Sequence, residues 1–181
     1  MPSNKVETKL NKNELFDLLK IFDEEAEKSM RLVAVGGTAM TLLDLKPSTR
    51  DIDFTVPSDD KSEFDRIRNT IPHGYKIDVW TNGGIFCVTL PPDYLDRSRD
   101  IASYKYIQLK ALHPVDIVVS KIARMEPHDI EDIRECIKKC GISMDEVRTR
   151  AATVTFAPRQ EDYQYQVRIA LEMFFGEPKS K

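Results

Sequence analysis

The sequence predicts an α+β (α/β) fold, in which helices flank a mixed β-sheet and a C-terminal helical segment packs on it. Two observations predict this fold. Short apolar runs rich in Val, Ile and Phe alternate with helical patterns as far as residue 112, and the pattern is helical from Pro114 onward. We therefore expect a core at residues 1–112 and a C-terminal helical region at residues 113–181, packed as one unit with the core.

The first elements are predicted to be a helix, a strand and a second helix. Asn11 and Glu14 form a capping pair, and apolar residues then recur at helical spacing until near Ser29. The apolar run 32–35 predicts a strand that stops at Gly36-Gly37, and a helical composition follows. The order is therefore strand, glycine turn, helix.

The next strands follow the same reasoning. Polar and apolar residues alternate over 51–56 as in a half-buried strand, and a charged helix is predicted over 59–70. Asn82-Gly83-Gly84 separates an apolar run at 75–80 from another at 85–90, and this arrangement favours a hairpin. The sheet is therefore expected to contain antiparallel strands.

The last third of the chain is predicted to be helical. A polar stretch from Pro91 to about Asp100 is expected to be a loop, and a strand pattern returns over 104–112. Gly141 is a good stop for one of the helices that follow. These helices are predicted over residues 115–125, 129–140, 144–152 and 160–175.

Composition and charge predict a cytoplasmic protein. The 181 residues carry a formal net charge of −3, so a polyanion would need a local patch to bind. Neither a signal peptide nor a transmembrane stretch is recognisable. Three cysteines (Cys87, Cys136 and Cys140) lack the spacing of a disulfide framework. A metal site is one alternative for Cys136, Cys140 and His128. The ordinary interpretation is that the cysteines are partly buried structural thiols.

Two carboxylates form the most informative pattern. Asp51 and Asp53 lie in the segment Ser48-Thr49-Arg50-Asp51-Ile52-Asp53-Phe54. Side chains at i and i+2 of a strand share a face, so these two acids point the same way, about 7 Å apart along the backbone. Without a cation or a basic partner they would repel each other. A bound Mg²⁺ removes this repulsion.

A third acid and a glycine turn extend the pattern. Asp78 lies in the next strand, within Lys76-Ile77-Asp78-Val79-Trp80, so three carboxylates can meet across neighbouring strands. Gly36-Gly37 places backbone amides at a helix start, where a phosphate is favoured. Taken singly, a Gly-Gly turn and an exposed pair of acids are both ordinary structural features. Together they indicate a site for a metal and a phosphate.

These stretches resemble the nucleotidyltransferase superfamily that shares its fold with DNA polymerase β. The matching segments are Val35-Gly36-Gly37-Thr38-Ala39, the segment from Ser48 to Phe54, and Ile77-Asp78-Val79. The pattern is most similar to the DUF6036 proteins and to the toxin-like nucleotidyltransferases of abortive-infection systems. Segments 114–124 and 128–133 resemble the helical part of that branch. The resemblance implies a nucleotidyltransferase-like sheet.

The resemblance also implies a reaction and its residues. It implies that Mg²⁺, with Mn²⁺ as the alternative, assists transfer of a nucleoside monophosphate from a nucleoside triphosphate such as ATP to a hydroxyl. The catalytic and metal-binding residues would be Asp51, Asp53 and Asp78. The nucleotide-binding residues would be Gly36, Gly37, Thr38, Lys46, Arg50 and Lys121. For each of the three cations, an exposed salt bridge is the ordinary alternative.

The resemblance implies several alternative partners. The acceptor would be an RNA such as tRNA, a protein or a small molecule, and a role in a toxin–antitoxin pair would add an antitoxin. A group of cations and tyrosines could contact an RNA end, although an ordinary loop and strand face explains them as well. These residues are Tyr94, Arg97, Arg99, Tyr104, Lys105, Tyr106 and Lys110.

A noncatalytic function is the alternative. Many active relatives carry Gly-Ser at the turn, whereas this chain has Gly36-Gly37-Thr38. The hydroxyl contact therefore has to come from Thr38 or is lost. A nucleotide-binding or regulatory module that retains the fold without turnover would fit this departure, but the retention of all three acids argues against it.

Overall fold

The computed structural model describes residues 9–157 and 159–176. The chain consists of two compact units. The first comprises residues 1–81 and 100–111, and the second comprises residues 82–99 and 112–181. The stretch 82–99, which we expected in the core, is thus grouped with the second unit. That the core and the helical region pack as one unit stays a prediction.

Helices and strands occupy most of the described chain. The helices are α1 (Lys12–Glu25), α2 (Gly36–Leu42), α3 (Lys61–Thr70), α4 (Tyr94–Arg97), α5 (Pro114–Ile122), α6 (Pro127–Cys140), α7 (Met144–Ala151) and α8 (Gln160–Phe175). The strands are β1 (Met30–Ala34), β2 (Ile52–Val56), β3 (Ile77–Thr81), β4 (Gly84–Ile85), β5 (Val88–Thr89), β6 (Arg99–Ser103), β7 (Ile107–Ala111) and β8 (Thr155–Phe156). Among the described residues, no helix has both the length and the apolar character to cross a membrane.

The first unit is built on a mixed five-stranded sheet. Its strand order is β3-β2-β1-β7-β6. Strand β1 is antiparallel to β2 and parallel to β7, and β2 is parallel to β3. The predicted α+β class with a mixed sheet is therefore confirmed.

Helix α1 begins where the sequence predicts. The Asn11 side chain accepts hydrogen bonds from the backbone amides of Asn13 and Glu14, and the Glu14 carboxylate accepts from the Asn11 amide. This capping box satisfies amide groups that have no partner within the helix. The face of α1 that carries the apolar residues is buried, and its buried members are Leu15, Leu18, Leu19 and Phe22.

Two predictions around β2 and β3 were wrong. No hairpin joins residues 75–80 to residues 85–90: β3 pairs with β2, whereas β4 pairs with β5 in a separate three-stranded sheet completed by β8. Strands β4 and β5 form a smaller hairpin that turns at residues 86–87, and the Leu90 amide donates to the Gly83 carbonyl at its open end at 2.9 Å. Strand β2 is buried at every position instead of on one face, because α2 packs against it.

The stretch that we expected to be a loop also contains regular structure. Helix α4 and strand β6 lie within or next to residues 91–100. The sequence there is polar, and β6 is largely exposed, so it lacks the alternating apolar residues that identify a strand. Its position at the edge of the sheet explains why so few apolar residues suffice.

The second unit is mainly helical, as predicted. Every residue of α5 is buried. The hydroxyl of Tyr163, on α8, donates to the Val119 carbonyl of α5 at 2.9 Å. Helix α6 ends at Gly141, whose φ of 64° lies in the left-handed region that favours glycine.

Candidate active site

The three acids identified in the sequence lie at the starts of two adjacent strands. Asp53 and Asp78 are partners in the register of the parallel strands β2 and β3, and partners in register point to the same face of a sheet. Asp51 precedes β2 by one residue and is exposed, whereas Asp53 is only 9% exposed. We call Asp51, Asp53 and Asp78 the carboxylate cluster.

The glycine turn lies directly beside this cluster. Gly36, the first residue of α2, has a φ of 53°, which an L side chain rarely adopts. A Cβ atom on Gly36 would lie 3.5 Å from Oδ2 of Asp53. The Val35 amide also donates to the Asp53 carbonyl at 3.0 Å. The turn that the sequence suggested for a phosphate is therefore in contact with a carboxylate of the cluster.

Two threonine hydroxyls hold the backbone of the acids in place. Oγ1 of Thr38 donates to the Asp51 carbonyl at 3.1 Å and accepts from the Asp53 amide at 3.0 Å. Oγ1 of Thr49 donates to the same Asp51 carbonyl at 2.8 Å. The Thr38 side chain is buried, and its hydroxyl donates one hydrogen bond to the backbone of the acids and accepts another from it. The hydroxyl therefore positions the acids. Nucleotide binding by Thr38 stays a prediction.

Gly37 is required by this arrangement. A Cβ atom on Gly37 would lie 2.8 Å from Oγ1 of Thr49, which is closer than van der Waals contact permits. Glycine therefore leaves room for the hydroxyl that supports Asp51. Gly36 thus lies beside Asp53, and Gly37 leaves room for Thr49.

A lysine joins the cluster. Nζ of Lys76 lies 2.8 Å from Oδ2 of Asp78. The hydrogen bond to Asp78 raises the pKa of Lys76, and the negative charges of Asp78, Asp51 and Asp53 raise this pKa further. The ion pair is with Asp78, and the charges of Asp51 and Asp53 act on the same ammonium group. The glycine turn near these acids is half-buried.

Comparison with known families identifies the family of this chain. Residues 13–177 match a family described as "Nucleotidyltransferase of unknown function (DUF6036)". The chain belongs to the DUF6036 family. The resemblance seen in the sequence is thereby confirmed, and its extent exceeds the range of about 30–140 that the motifs covered. A search of curated proteins found no match.

The other predicted nucleotide-binding residues of the DUF6036 chain lie in different settings. Lys46 is half-buried in the connection after α2, and Arg50 is exposed immediately before Asp51. Lys121 belongs to the second unit, where its side chain is 4% exposed. Its Nζ lies 2.9 Å from Oδ1 of Asp129 and 2.8 Å from Oδ2 of Asp132. Nucleotide binding by these three cations stays a prediction.

The cations and tyrosines considered for RNA are partly engaged within the DUF6036 protein. Nε of Arg97 lies 3.3 Å from Oδ2 of Asp116. Nζ of Lys110 lies 2.6 Å from Oδ1 of Asp100. Tyr94 is buried. These contacts give the group a structural role, and an RNA contact stays a prediction.

The alternative metal site at the cysteines has unfavourable chemistry. Burial raises the pKa of Cys136 to about 12, so its thiolate, the form that binds metals, is disfavoured. Among the described residues, Glu126, His128 and Asp129 place ligand atoms within 4.8 Å of one another. However, the Asp129 carboxylate already accepts hydrogen bonds from Lys121 and Arg124. Asp51, Asp53 and Asp78 are not such a group among the described residues, and they remain the predicted metal site because the glycine turn lies beside Asp53.

No role was predicted from the sequence for Lys76 or Thr49. A signal for Lys76 was present, because it precedes Asp78 by two residues and the same i, i+2 rule that paired Asp51 with Asp53 applies to it. No comparable signal identifies Thr49. Its role depends on the approach of Gly37, which lies on another element of the DUF6036 fold.

Proposed function

We propose that this protein is a metal-dependent nucleotidyltransferase that transfers a nucleoside monophosphate from a nucleoside triphosphate to a hydroxyl acceptor. One observation carries the proposal: Asp53 and Asp78 are register partners on adjacent strands, and the glycine turn at Gly36 lies beside the Asp53 carboxylate. Membership of a family described as nucleotidyltransferases supports the same class of reaction. The finer assignments below are part of the proposal.

The residues of the carboxylate cluster fit Mg²⁺, with Mn²⁺ as the alternative. Their donors are carboxylate oxygens, the ligand type that Mg²⁺ prefers. The combined charge of the three acids favours a cation, as the raised pKa of Lys76 indicates. When bound, the metal would neutralise the triphosphate and the charge that develops during transfer.

The proposed reaction exchanges one bond at the α-phosphorus for another. The acceptor oxygen forms a bond to the α-phosphorus, and the bond from this phosphorus to the bridging oxygen breaks. Pyrophosphate leaves with the electron pair, and the acceptor proton passes to the Asp78 carboxylate. Asp78 suits this role because its side chain is 35% exposed on an edge strand, where an acceptor hydroxyl can approach it.

We assign the remaining contacts by position. Asp51 and Asp53 would hold the metal, with their backbone held by the Thr38 hydroxyl, and Asp78 would complete the metal site. The backbone amides of Gly36 and Gly37 would face the β- and γ-phosphates, because neither residue has a side chain to block their approach. Lys46 and Arg50 would neutralise part of the triphosphate charge from the connection between α2 and β2.

Labelling experiments test the proposal. The protein is incubated with each α-labelled nucleoside triphosphate, Mg²⁺, and total cellular RNA or protein. We expect label in one macromolecular fraction or in a small-molecule product. Asp53→Asn should lower the labelling rate by at least about a hundredfold. Asp17→Asn, which changes an exposed acid of α1, should leave it unchanged.

The wild type and Asp53→Asn also distinguish the enzyme from the noncatalytic alternative. Calorimetric titration with Mg²⁺ and ATP measures binding without requiring an acceptor. Binding that is lost in Asp53→Asn, without a labelled product in any fraction, would favour a regulatory module. Failure to bind either ligand would contradict the proposed function. Label in the tRNA band would identify an RNA acceptor and would favour the toxin role, with an antitoxin as its partner.

A further inference from the structure

The carboxylate cluster contains a cation of its own. Nζ of Lys76 lies 2.8 Å from Oδ2 of Asp78, and Asp78 is the register partner of Asp53 on the neighbouring strand. Lys76 therefore relieves the repulsion among the acids when no metal is bound. A divalent ion attracted by the same three carboxylates would have to compete with this ammonium group.

The Lys76 side chain is free to leave, although its backbone is held. Its carbonyl accepts a hydrogen bond from the Ile52 amide at 3.0 Å, which keeps the residue beside β2. Its side chain is 65% exposed. An ion pair this exposed contributes little to stability, because water competes with it and four rotatable bonds must be ordered. The ammonium can therefore move into solvent without disturbing the sheet.

We propose that Lys76 is a positioning residue that occupies the carboxylate cluster as a stand-in cation and is displaced when a divalent metal ion binds. This inference rests on the proposed function, because it requires that the cluster binds a metal. Lys76 keeps the acids together before the metal arrives, and it lowers the affinity of the free protein for that metal. The ammonium and a divalent ion repel each other, so both cannot occupy the position.

Binding of Mn²⁺ in the absence of nucleotide tests this inference directly. Free Mn²⁺ is measured by electron paramagnetic resonance for the wild type, Lys76→Met and Lys76→Arg. Lys76→Met should bind Mn²⁺ about fivefold more tightly, as expected for loss of a partly exposed competing charge. Lys76→Arg, which keeps the charge, should stay within about twofold of the wild type.

A matched control separates this local effect from a change in net charge. Lys61 forms an ion pair with Asp65 one turn away on α3, in the same unit as the cluster. Lys61→Met removes the same charge as Lys76→Met, so any general effect on cation binding appears in both variants. We expect Lys61→Met to change the Mn²⁺ affinity by less than about twofold. A comparable gain in both variants would overturn the inference.

Two further outcomes separate this inference from the proposed function. If Asp53→Asn binds Mn²⁺ as tightly as the wild type, the proposed metal site is wrong and the inference falls with it. If Asp53→Asn loses binding but Lys76→Met gains none, the inference alone is overturned. As a second measurement, the ¹⁵N-detected ammonium signal of Lys76 should change on saturation with Mg²⁺. An unchanged signal would show that the lysine is not displaced.

Discussion

At the scale of single residues, the proposed chemistry depends on two hydroxyls that hold the backbone of the acids. The Thr38 hydroxyl joins the first turn of α2 to the backbone at Asp51 and Asp53. Thr49 adds a second hydroxyl to the Asp51 carbonyl. These buried hydrogen bonds hold the acids against their mutual repulsion. Substitutions at Thr38, or at Gly37 beside Thr49, therefore test the geometry of the site and the stability of the fold together.

Replacement of Thr38 by valine tests the bridging hydroxyl. Thr38→Val keeps the shape of the side chain but leaves the Asp53 amide without its partner, so the free energy of unfolding should fall by about 1–3 kcal/mol. Urea denaturation measures this change. Thr70→Val is the control, because the Thr70 hydroxyl bonds an exposed carbonyl within its own helix, and it should cost less than about 0.5 kcal/mol.

Replacement of Gly37 by alanine tests the close approach to Thr49. The added Cβ would displace the Thr49 hydroxyl, so we expect a loss of about 1–3 kcal/mol in the free energy of unfolding and weaker Mn²⁺ binding. Gly74→Ala is the matched control, because no heavy atom lies within 4 Å of its Cβ position. Equal stability of the two variants would contradict the contact.

At the scale of elements, a buried ion-pair network joins α5 to α6. Lys121 on α5 contacts both Asp129 and Asp132 on α6, and Arg124 adds a second cation at Asp129. Burial raises the pKa of Asp129, but the charge of Lys121 and the hydrogen bond from Arg124 outweigh this effect and lower it overall. The network therefore keeps Asp129 ionised inside the second unit.

Replacement of Lys121 by methionine tests whether this lysine stabilises the fold or binds nucleotide. Lys121→Met leaves two buried carboxylates short of a cation, so the free energy of unfolding should fall by about 3 kcal/mol. Lys138→Met, an exposed lysine on α6, should change it by less than about 0.5 kcal/mol. Unchanged stability with weaker binding of ATP would instead favour the nucleotide contact expected from the sequence.

At the scale of the whole molecule, the response to acid should depend on Glu63. Its carboxylate is 7% exposed and bonds both Nε and Nη2 of Arg66 as well as the Glu27 amide. The hydrogen bonds from Arg66 are the main reason that its pKa is lowered from 4.5 to about 2. A lowered pKa in the folded state means that this stabilisation is complete above the unfolded pKa of 4.5 and is lost as the pH falls toward 2.

Comparison of the wild type with Glu63→Gln measures this contribution. At pH 6 the wild type should be more stable by about 2 kcal/mol, and the difference should shrink to about half or less by pH 3. Urea denaturation at several pH values gives both quantities. Glu131→Gln, which alters an exposed acid of α6, should show no such trend. A difference that stays constant with pH would contradict the lowered pKa of Glu63.

Local patterns in the sequence determined much of this protein. The capping box of α1 and the glycine stop of α6 depend on residues within a few positions of each other, so both could be identified in advance. The period of a strand predicted that Asp51 and Asp53 share a face, and the structure places Asp51 one residue before β2. The glycine turn, the acids and the family were all recognised from short segments of this kind.

Only the tertiary structure decided which distant segments meet. It paired β3 with β2 and not with the residues after the Asn82-Gly83 turn, placed the Thr49 hydroxyl against Gly37, and engaged Lys121 with two acids. It also brought Asp51 and Asp53, more than twenty residues before Lys76, into reach of its charge. The physical reason is that periodicity and capping act within a turn or a strand, whereas these contacts arise from packing between elements far apart in the chain.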